Sequence, residues 1–250
     1  MNDPRELATA IAALDRPLLI TFDCDGVLAP LTDHADDSVL TEGVGDDLAR
    51  LATHDDIIVA ILSGRSLDGL SQFEFDGAIH VSGSYGAERR GGTPAPLTRE
   101  ESNRLRVLDE LLSAAARRAG DGAWIERKPT SVVVHVREAD PQQGRAALDW
   151  AIDEQRELRG HVCHRGDNVL ELMTRPADKG TGLEALRREF DPAATVYIGD
   201  DVPDEDAFAR LGPSDIGIKV GDSASIATRR IFDPDHVRLM IAALVETVAR

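Results

Sequence analysis

Asp23 and Asp25 stand two residues apart, directly after the apolar run Leu18-Leu19-Ile20-Thr21-Phe22. A strand ending there presents both carboxylates at the carboxyl edge of a sheet, where open α/β folds bind their ligands. Two anions so placed fit a hard cation, most simply Mg2+, and leave one carboxylate oxygen free to act as a nucleophile. A second acidic cluster, Gly199-Asp200-Asp201-Val202-Pro203-Asp204-Glu205-Asp206, follows the apolar run Thr195-Val196-Tyr197-Ile198. Acids in that place also cap the amino end of a helix. Five acids within seven positions nevertheless repel one another, and a cation shared by Asp23, the Asp25 backbone oxygen and Asp200 relieves that repulsion.

Two other groups suit an anionic ligand. Lys179 opens an expected helix, where the macrodipole disfavours positive charge. Next to the carboxylates it neutralises phosphate and holds the nucleophilic acid ionised; away from them it is a solvated lysine near Asp178. Ser63-Gly64-Arg65 ends a second apolar run, Ile57 to Leu62. A hydroxyl and backbone amides there bind phosphate oxygens, although a serine in that position also serves as a plain N-cap.

The elements that must position these groups follow a βαβα rhythm, which argues for a parallel sheet. Helical spacing at Leu7, Ile11 and Leu14 precedes strand Leu18 to Phe22. Helix Val44 to Ala52, strand Ile57 to Leu62, a short helix and strand Ala78 to Val81 follow. The composition changes at the Gly/Pro-rich segment Arg89 to Pro96, read as a linker. Next come a helix marked by Leu105, Leu108, Leu112 and Ala115, strands Trp124 to Lys128 and Ser131 to Arg137, helix Gln142 to Leu158, and strands His161 to Arg165 and Val169 to Met173. This αββαββ order predicts an α+β domain with an antiparallel sheet and helices on one face. From Arg175-Pro176 the first rhythm resumes with helix Lys179 to Phe190, strand Thr195 to Ile198, helix Asp204 to Leu211 and strand Ile216 to Val220. The expected organisation is a core of residues 1–92 and 175–250 with residues 93–174 inserted, and Gly91-Gly92 and Arg175-Pro176 placed as hinges.

Composition narrows the possible partners. The 250 residues are 42% hydrophobic, enough for a buried core, and carry a formal net charge of -17. That charge argues against nucleic acid or an anionic membrane as partner. Phosphate could approach only where cation and lysine reverse the field. Cys24 and Cys163 form no ligand pattern, Met1 to Asp15 lacks signal-peptide character, and no run reaches the roughly 20 apolar residues of a membrane helix. A cytoplasmic protein is expected.

Together the clusters resemble the four motifs of the haloacid dehalogenase superfamily of Mg2+ phosphotransferases: Asp23-x-Asp25-Gly26-Val27-Leu28, Ser63, Lys179, and Gly199-Asp200-Asp201-x-x-Asp204. The resemblance implies a Rossmann-like α/β core with an inserted α+β cap. It also implies Asp23 as nucleophile forming an aspartyl phosphate, Asp25 as general acid/base and metal ligand, and Gly64, Arg65, Asp201 and Asp204 near the phosphate or behind it.

In the insert, period-2 geometry puts Trp124, Glu126 and Lys128 on one face, and sets His135 and Arg137 opposite Val132, Val134 and Val136. Leu170 and Leu172 point away from Glu171. Such a face is either solvated or a source of acids and bases for a polyhydroxylated ligand. Glu126-x-Lys128, His135-x-Arg137, Val169-Leu170-Glu171 before Asp178-Lys179-Gly180, and Gly83-Ser84-Tyr85-Gly86-Ala87-Glu88 resemble trehalose-6-phosphate phosphatases. That resemblance implies hydrolysis of trehalose 6-phosphate, with Glu126, Lys128 and Glu171 on sugar hydroxyls, His135, Arg137, Gly83 and Ser84 nearby, and a trehalose-phosphate synthase in the same pathway. The alternatives are a capped phosphatase for sucrose phosphate or glucosylglycerate phosphate, a mutase, or a non-catalytic sugar-phosphate sensor.

Overall fold

The computed structural model describes residues 1–32, 35–92, 96–166 and 168–249. Along the chain the elements are α1 (Pro4–Ala12), β1 (Leu18–Phe22), α2 (Val44–Leu51), β2 (Ile57–Leu62), α3 (Leu67–Leu70), β3 (His80–Gly83), β4 (Glu88–Arg89), α4 (Arg99–Ala119), β5 (Trp124–Arg127), β6 (Ser131–His135), α5 (Pro141–Gln155), β7 (Val162–Gly166), β8 (Val169–Met173), α6 (Lys179–Phe190), β9 (Ala194–Gly199), α7 (Val202–Phe208), β10 (Ile216–Val220), β11 (Arg229–Ile231) and α8 (Pro234–Val248). They form two compact units, one of Met1–Thr93 with Asp178–Arg250 and the other of Pro94–Ala177. The linker expected at Arg89 to Pro96 includes Thr93, Pro94 and Ala95, which lie outside the described residues.

The first unit is a doubly wound sheet. Among the described residues its strand order is β11-β10-β9-β1-β2-β3-β4, parallel except for the antiparallel β4. β1 lies between β2 and β9, with Leu18 opposite both Ile57 and Ala194. The chain leaves β1 toward β2 in one direction and returns to its other side at β9, so β1 is the switch point of the sheet, where such folds open a crevice beyond the strand ends. Side chains along β1 alternate between two cores, as the strand period requires. Leu18, Ile20 and Phe22 pack with Leu7, Leu48 and Met240, whereas Leu19 packs with Leu62, Leu183, Tyr197 and Phe208. Both faces are therefore covered, and every residue of β1 is buried.

The second unit is an antiparallel sheet in the order β5-β6-β8-β7. Val132, Val134, Leu170 and Leu172 pack against Leu108, Leu112 and Ala115 of α4 and Ala147, Leu148 and Ala151 of α5. α4 starts with a capping box between Thr98 and Glu101. Glu101 also receives both Arg175 nitrogens, at 2.7 and 2.9 Å, and Arg175 donates to the Pro96 carbonyl at 2.7 Å. Arg104 reaches the Thr174 carbonyl at 3.2 Å. The segments where the chain enters and leaves this unit are thus tied to each other.

Several features differ from the sequence expectation: β3 runs over His80–Gly83 and not Ala78 to Val81, β5 stops at Arg127 before Lys128, and α5 ends at Gln155 before Leu158. Arg137 is not on a strand: β6 pairs with β8 only as far as His135 opposite Val169, so Arg137 falls in the exposed turn that follows. α7 begins at Val202, two residues before the expected start, because Asp201 makes the cap and Pro203 suits the first turn. β4, β11 and α8 were not anticipated. Among the described residues no helix is long and apolar enough to cross a membrane, and Cys24 and Cys163 are free thiols.

Candidate active site

Parallel register brings the functional segments to one edge of the sheet. The Asp23 amide donates to the Ile198 carbonyl at 2.9 Å, so Asp23 follows β1 just where Gly199-Asp200 follows β9. Gly26 has φ +74, and a side chain there would run into the Asp200 carboxylate; glycine is therefore what allows the turn after Asp25 to approach Asp200. Gly199 is likewise pressed against the Asp204 side chain.

Asp204 organises the cluster. It is fully buried, and Oδ1 accepts from Lys179 Nζ and Tyr197 Oη, each at 2.7 Å. Its Oδ2 accepts from the Asp200 and Asp201 amides, each at 2.9 Å. Lys179 reaches Asp23 Oδ2 at 2.7 Å as well, bridging the two carboxylates. Burial alone would strip the charge from Lys179, but Asp23 and Asp204 outweigh it and raise the ammonium pKa. Burial also opposes ionisation of Asp204, yet Lys179 and the donated hydrogen bonds bring its pKa below the usual carboxylate range. The helix-capping reading of this acidic segment holds, since Asp201 and Asp204 form the capping box of α7, and Asp204 also holds Lys179.

Asp23 and Asp200 are differently placed. Burial, only partly offset by Lys179, pushes Asp23 up to about 8 with help from Asp204 and Asp200. Burial and Asp204 push Asp200 up to about 7. Among the described residues Lys179 bridges two of a group of three carboxylates, whose oxygens from Asp23, Asp200 and Asp204 lie within 4.8 Å of one another, and Lys219 lies near enough to favour the Asp200 anion. With both Asp204 oxygens already engaged, the donors left for a cation are Asp23 and Asp200. An all-oxygen set short of positive charge fits a hard divalent ion.

Asp25 is not among these three carboxylates. Its carboxylate accepts both Arg65 Nε and Nη2, at 2.5 and 2.6 Å, and Ser38 Oγ at 3.1 Å. Arg65 also lies over the Phe73 ring at 5.2 Å. Ser63, buried at the end of β2, accepts the Arg65 amide on its Oγ at 3.1 Å, which leaves the hydroxyl hydrogen to donate elsewhere. The Ser63 carbonyl accepts the Tyr85 amide and the Arg65 carbonyl the Ser84 amide, so Gly64-Arg65 and Gly83-Ser84 are laced together. Ser84 and Tyr85 have φ +49 and +57, an uncommon conformation held by this lacing and by a 2.5 Å bond from Ser84 Oγ to Glu88.

In the second unit, Glu126, Val133, Glu171 and His164 form one cross-strand row on the face away from the helices. Glu171 is buried and accepts Lys128 Nζ at 3.2 Å and Ser131 Oγ at 2.6 Å. Glu126 is 3.2 Å from His135 Nε2. The structure therefore joins Asp23, Lys179, Asp200, Asp201 and Asp204 in one cluster, Asp25 with Ser63, Gly64, Arg65, Gly83 and Ser84 in contacts beside it, and Glu126, Lys128, His135 and Glu171 on one sheet face.

Sequence reasoning missed Tyr197, Ser38, Ser131 and Lys219. Lys219 is buried in β10 and donates to the Asp200 carbonyl, fixing the backbone that carries the Asp200 carboxylate. Its signal was available, since a lysine inside Ile216-Gly217-Ile218-Lys219-Val220 is the one charge in a core strand. Ser38 and Ser131 carry no such signal.

The trehalose-phosphatase family model matches residues 21–231. The trehalose-6-phosphate phosphatase of Escherichia coli (strain K12) is 30% identical, aligned over 84% of this chain and 80% of that protein. The trehalose-phosphate phosphatase of Mycobacterium marinum is 33% identical over 93% of this chain and 64% of its own length. Among solved structures, the C-terminal domain of Candida albicans trehalose-6-phosphate phosphatase superposes with a TM-score of 0.81 at 19% identity, covering 98% of this chain and 97% of that one, which is a likeness of fold.

Proposed function

The chain belongs to the trehalose-phosphatase family, and from that membership we infer that it is a phosphatase that hydrolyses trehalose 6-phosphate to trehalose and inorganic phosphate. The observation that carries the mechanism is the buried bridge Asp23–Lys179–Asp204 beside Asp200. Asp23 Oδ1, the oxygen not held by Lys179, attacks phosphorus in line and displaces the sugar oxygen. Asp25, once it has taken up a proton from solvent, gives that proton to the sugar oxygen and then takes one from the water that hydrolyses the aspartyl phosphate, which restores its acid form for the next cycle. To do so it exchanges one Arg65 contact for the sugar oxygen, and the remaining Arg65 hydrogen bond holds its second oxygen in place. Lys179 and Ser63 Oγ–H, with the Gly64-Arg65 backbone, meet the equatorial phosphoryl oxygens, where phosphoryl transfer needs positive charge. A Mg2+ ion held by Asp23, the Asp25 backbone oxygen and Asp200 supplies the remaining charge when bound. Glu126, Lys128 and Glu171 take sugar hydroxyls, with His135, Arg137, Gly83 and Ser84 in support. The reaction takes place in the cytoplasm on the product of a trehalose-phosphate synthase.

Phosphate release from trehalose 6-phosphate, sucrose phosphate, glucosylglycerate phosphate and p-nitrophenyl phosphate, with MgCl2 or EDTA, tests this reading. Trehalose 6-phosphate is expected to lead the panel and EDTA to remove the activity; preference for another phosphosugar would reassign the substrate. Glu171→Gln is expected to cut kcat/KM for trehalose 6-phosphate by about ten-fold or more, the scale of one charge-assisted hydrogen bond. Its effect on p-nitrophenyl phosphate should be much smaller, and equal losses on both esters would take Glu171 out of sugar recognition.

The raised pKa values of Asp23 and Asp200 also predict how pH and metal act on stability. Between roughly pH 4 and pH 8 the unfolded chain has released these protons while the metal-free native state still holds them. The native state binds more protons in that window, so metal-free stability falls as pH rises through it. Mg2+ binds the ionised native pair and not the unfolded chain, and at 100 times its Kd contributes about 2.7 kcal/mol. In differential scanning fluorimetry MgCl2 is therefore expected to raise Tm by about 5–10 °C at pH 8 and by clearly less at pH 5.5. An equal shift at both values would detach the ion from these two carboxylates.

A further inference from the structure

The chain is poor in aromatic residues, 4% in all, and one of its two tryptophans lies in the open on the polar face of the insert. Trp124 is 48% exposed. It stands directly opposite His135 in the β5–β6 ladder, and the two rings stack with centroids 3.8 Å apart and planes 7° from parallel. His135 is in turn tied to Glu126 at 3.2 Å. The outer surface of the indole is thus a flat apolar plate fixed by a partner beneath it and a carboxylate beside it. Trp150, the other tryptophan, is half-buried against the helix core and capped by Arg118 at 4.0 Å.

The plate lies at the exposed end of a face whose other end is buried and charged. From Trp124 the strand runs past Glu126 to Arg127, about 10 Å at some 3.3 Å per residue and longer than one pyranose ring, with Lys128 directly after it. At the far end Lys128, Ser131 and Glu171 are mutually bonded and buried. Charged donors and acceptors suit the hydroxyl rim of a sugar. A rigid aromatic face suits the C–H side of a pyranose, which hydroxyl-seeking groups cannot use, and it costs little conformational entropy because stacking already fixes it.

We propose that Trp124, preorganised by His135, is the stacking platform for one pyranose ring of the sugar substrate and a determinant of preference for disaccharide over monosaccharide phosphates. The proposal rests on the trehalose 6-phosphate reading for its ligand and on the Trp124–His135–Glu126 geometry for its residue. Stacking of this kind is worth several-fold in affinity, so Trp124→Ala is expected to raise KM for trehalose 6-phosphate about five-fold or more. kcat should change little, Trp124→Phe should recover most of the loss, and the ratio of kcat/KM for trehalose 6-phosphate to that for glucose 6-phosphate should fall.

A second measurement needs no turnover. In a Trp150→Phe background the fluorescence comes from Trp124 alone, and titration with trehalose is expected to change it saturably, with glucose much weaker. Wild-type hydrolysis of trehalose 6-phosphate with an unchanged KM in Trp124→Ala and a flat titration would overturn the platform and leave the phosphatase reading standing. A saturable trehalose response in a protein that releases phosphate from no sugar ester would do the reverse. Silence in both assays would remove both.

Discussion

Asp23→Asn is expected to abolish phosphate release, by at least about 10^4-fold, the scale on which enzymes lose turnover when a covalent nucleophile is removed. The amide has the size of the carboxylate but no anionic oxygen to attack phosphorus. The fold should survive. Asp23 packs at the end of β1 among neighbours that an asparagine also fits, and its loss leaves Lys179 still bonded to Asp204 at 2.7 Å. Burial already penalises the ionised form of Asp23, so in EDTA at pH 8 the variant is expected to melt no lower than the wild type. Its response to MgCl2 should shrink, because one of the two carboxylates available to a cation is gone. A folded Asp23→Asn protein that keeps even a tenth of wild-type turnover would rule out an aspartyl phosphate on this residue. In that event Asp25, now paired with Arg65, would be the next residue to test as nucleophile or as base for a direct attack by water.

The core strands were legible because their physics is local. Leu18 to Phe22 and Ile57 to Leu62 are apolar runs that end in Asp or Ser-Gly, and Ile216 to Val220, apolar but for Lys219, ends in Gly; a strand buried on both faces requires that composition. Lys179 to Phe190 was equally plain, with Asp178 as its cap and Leu183 and Leu186 on one side. β11 was not legible: Arg229-Arg230-Ile231 has no apolar run, because an edge strand needs only one covered residue, here Ile231. α8 carries a readable start, Asp233-Pro234, and a periodic Val237, Met240, Ile241 and Leu244.

The site divides along the same line. Catalytic-type residues follow strand ends, so sequence position alone locates Asp23, Ser63 and Asp200. Partnerships depend on register and loop paths that no local pattern encodes. Glu171 meets Ser131 because β6 and β8 pair Val133 with Glu171. Asp25 meets Ser38 because a segment thirteen residues later folds back. Tyr197 looked like one more core aromatic of β9, and only the position of Asp204 gives its hydroxyl a purpose.

That hydroxyl belongs to the network with the largest consequence for stability. Asp204→Asn is expected to cost about 3–5 kcal/mol, the range for breaking one side of a buried ion pair, and so to lower Tm by about 6–20 °C for a chain of this size. An amide cannot replace the carboxylate here, because all its partners donate: Lys179 Nζ, Tyr197 Oη and the Asp200 and Asp201 amides. Whichever way the side chain turns, its NH2 faces donors, and at least one buried donor is left without an acceptor. Turnover should fall by about 100-fold or more, since Lys179 and the Asp200 backbone each lose one of their anchors at a site where small displacements are costly. The pH dependence separates this account from a simple packing defect. The Asp204 pKa is depressed in the native state, so its contribution is fully present above the unfolded value near 4 and disappears as pH falls through the native one. The stability gap between wild type and Asp204→Asn, measured by urea denaturation, should therefore be widest near neutrality and close on acidification below about pH 4. A gap that stays constant across that range would mean that shape, and not the charge of Asp204, holds the cluster together.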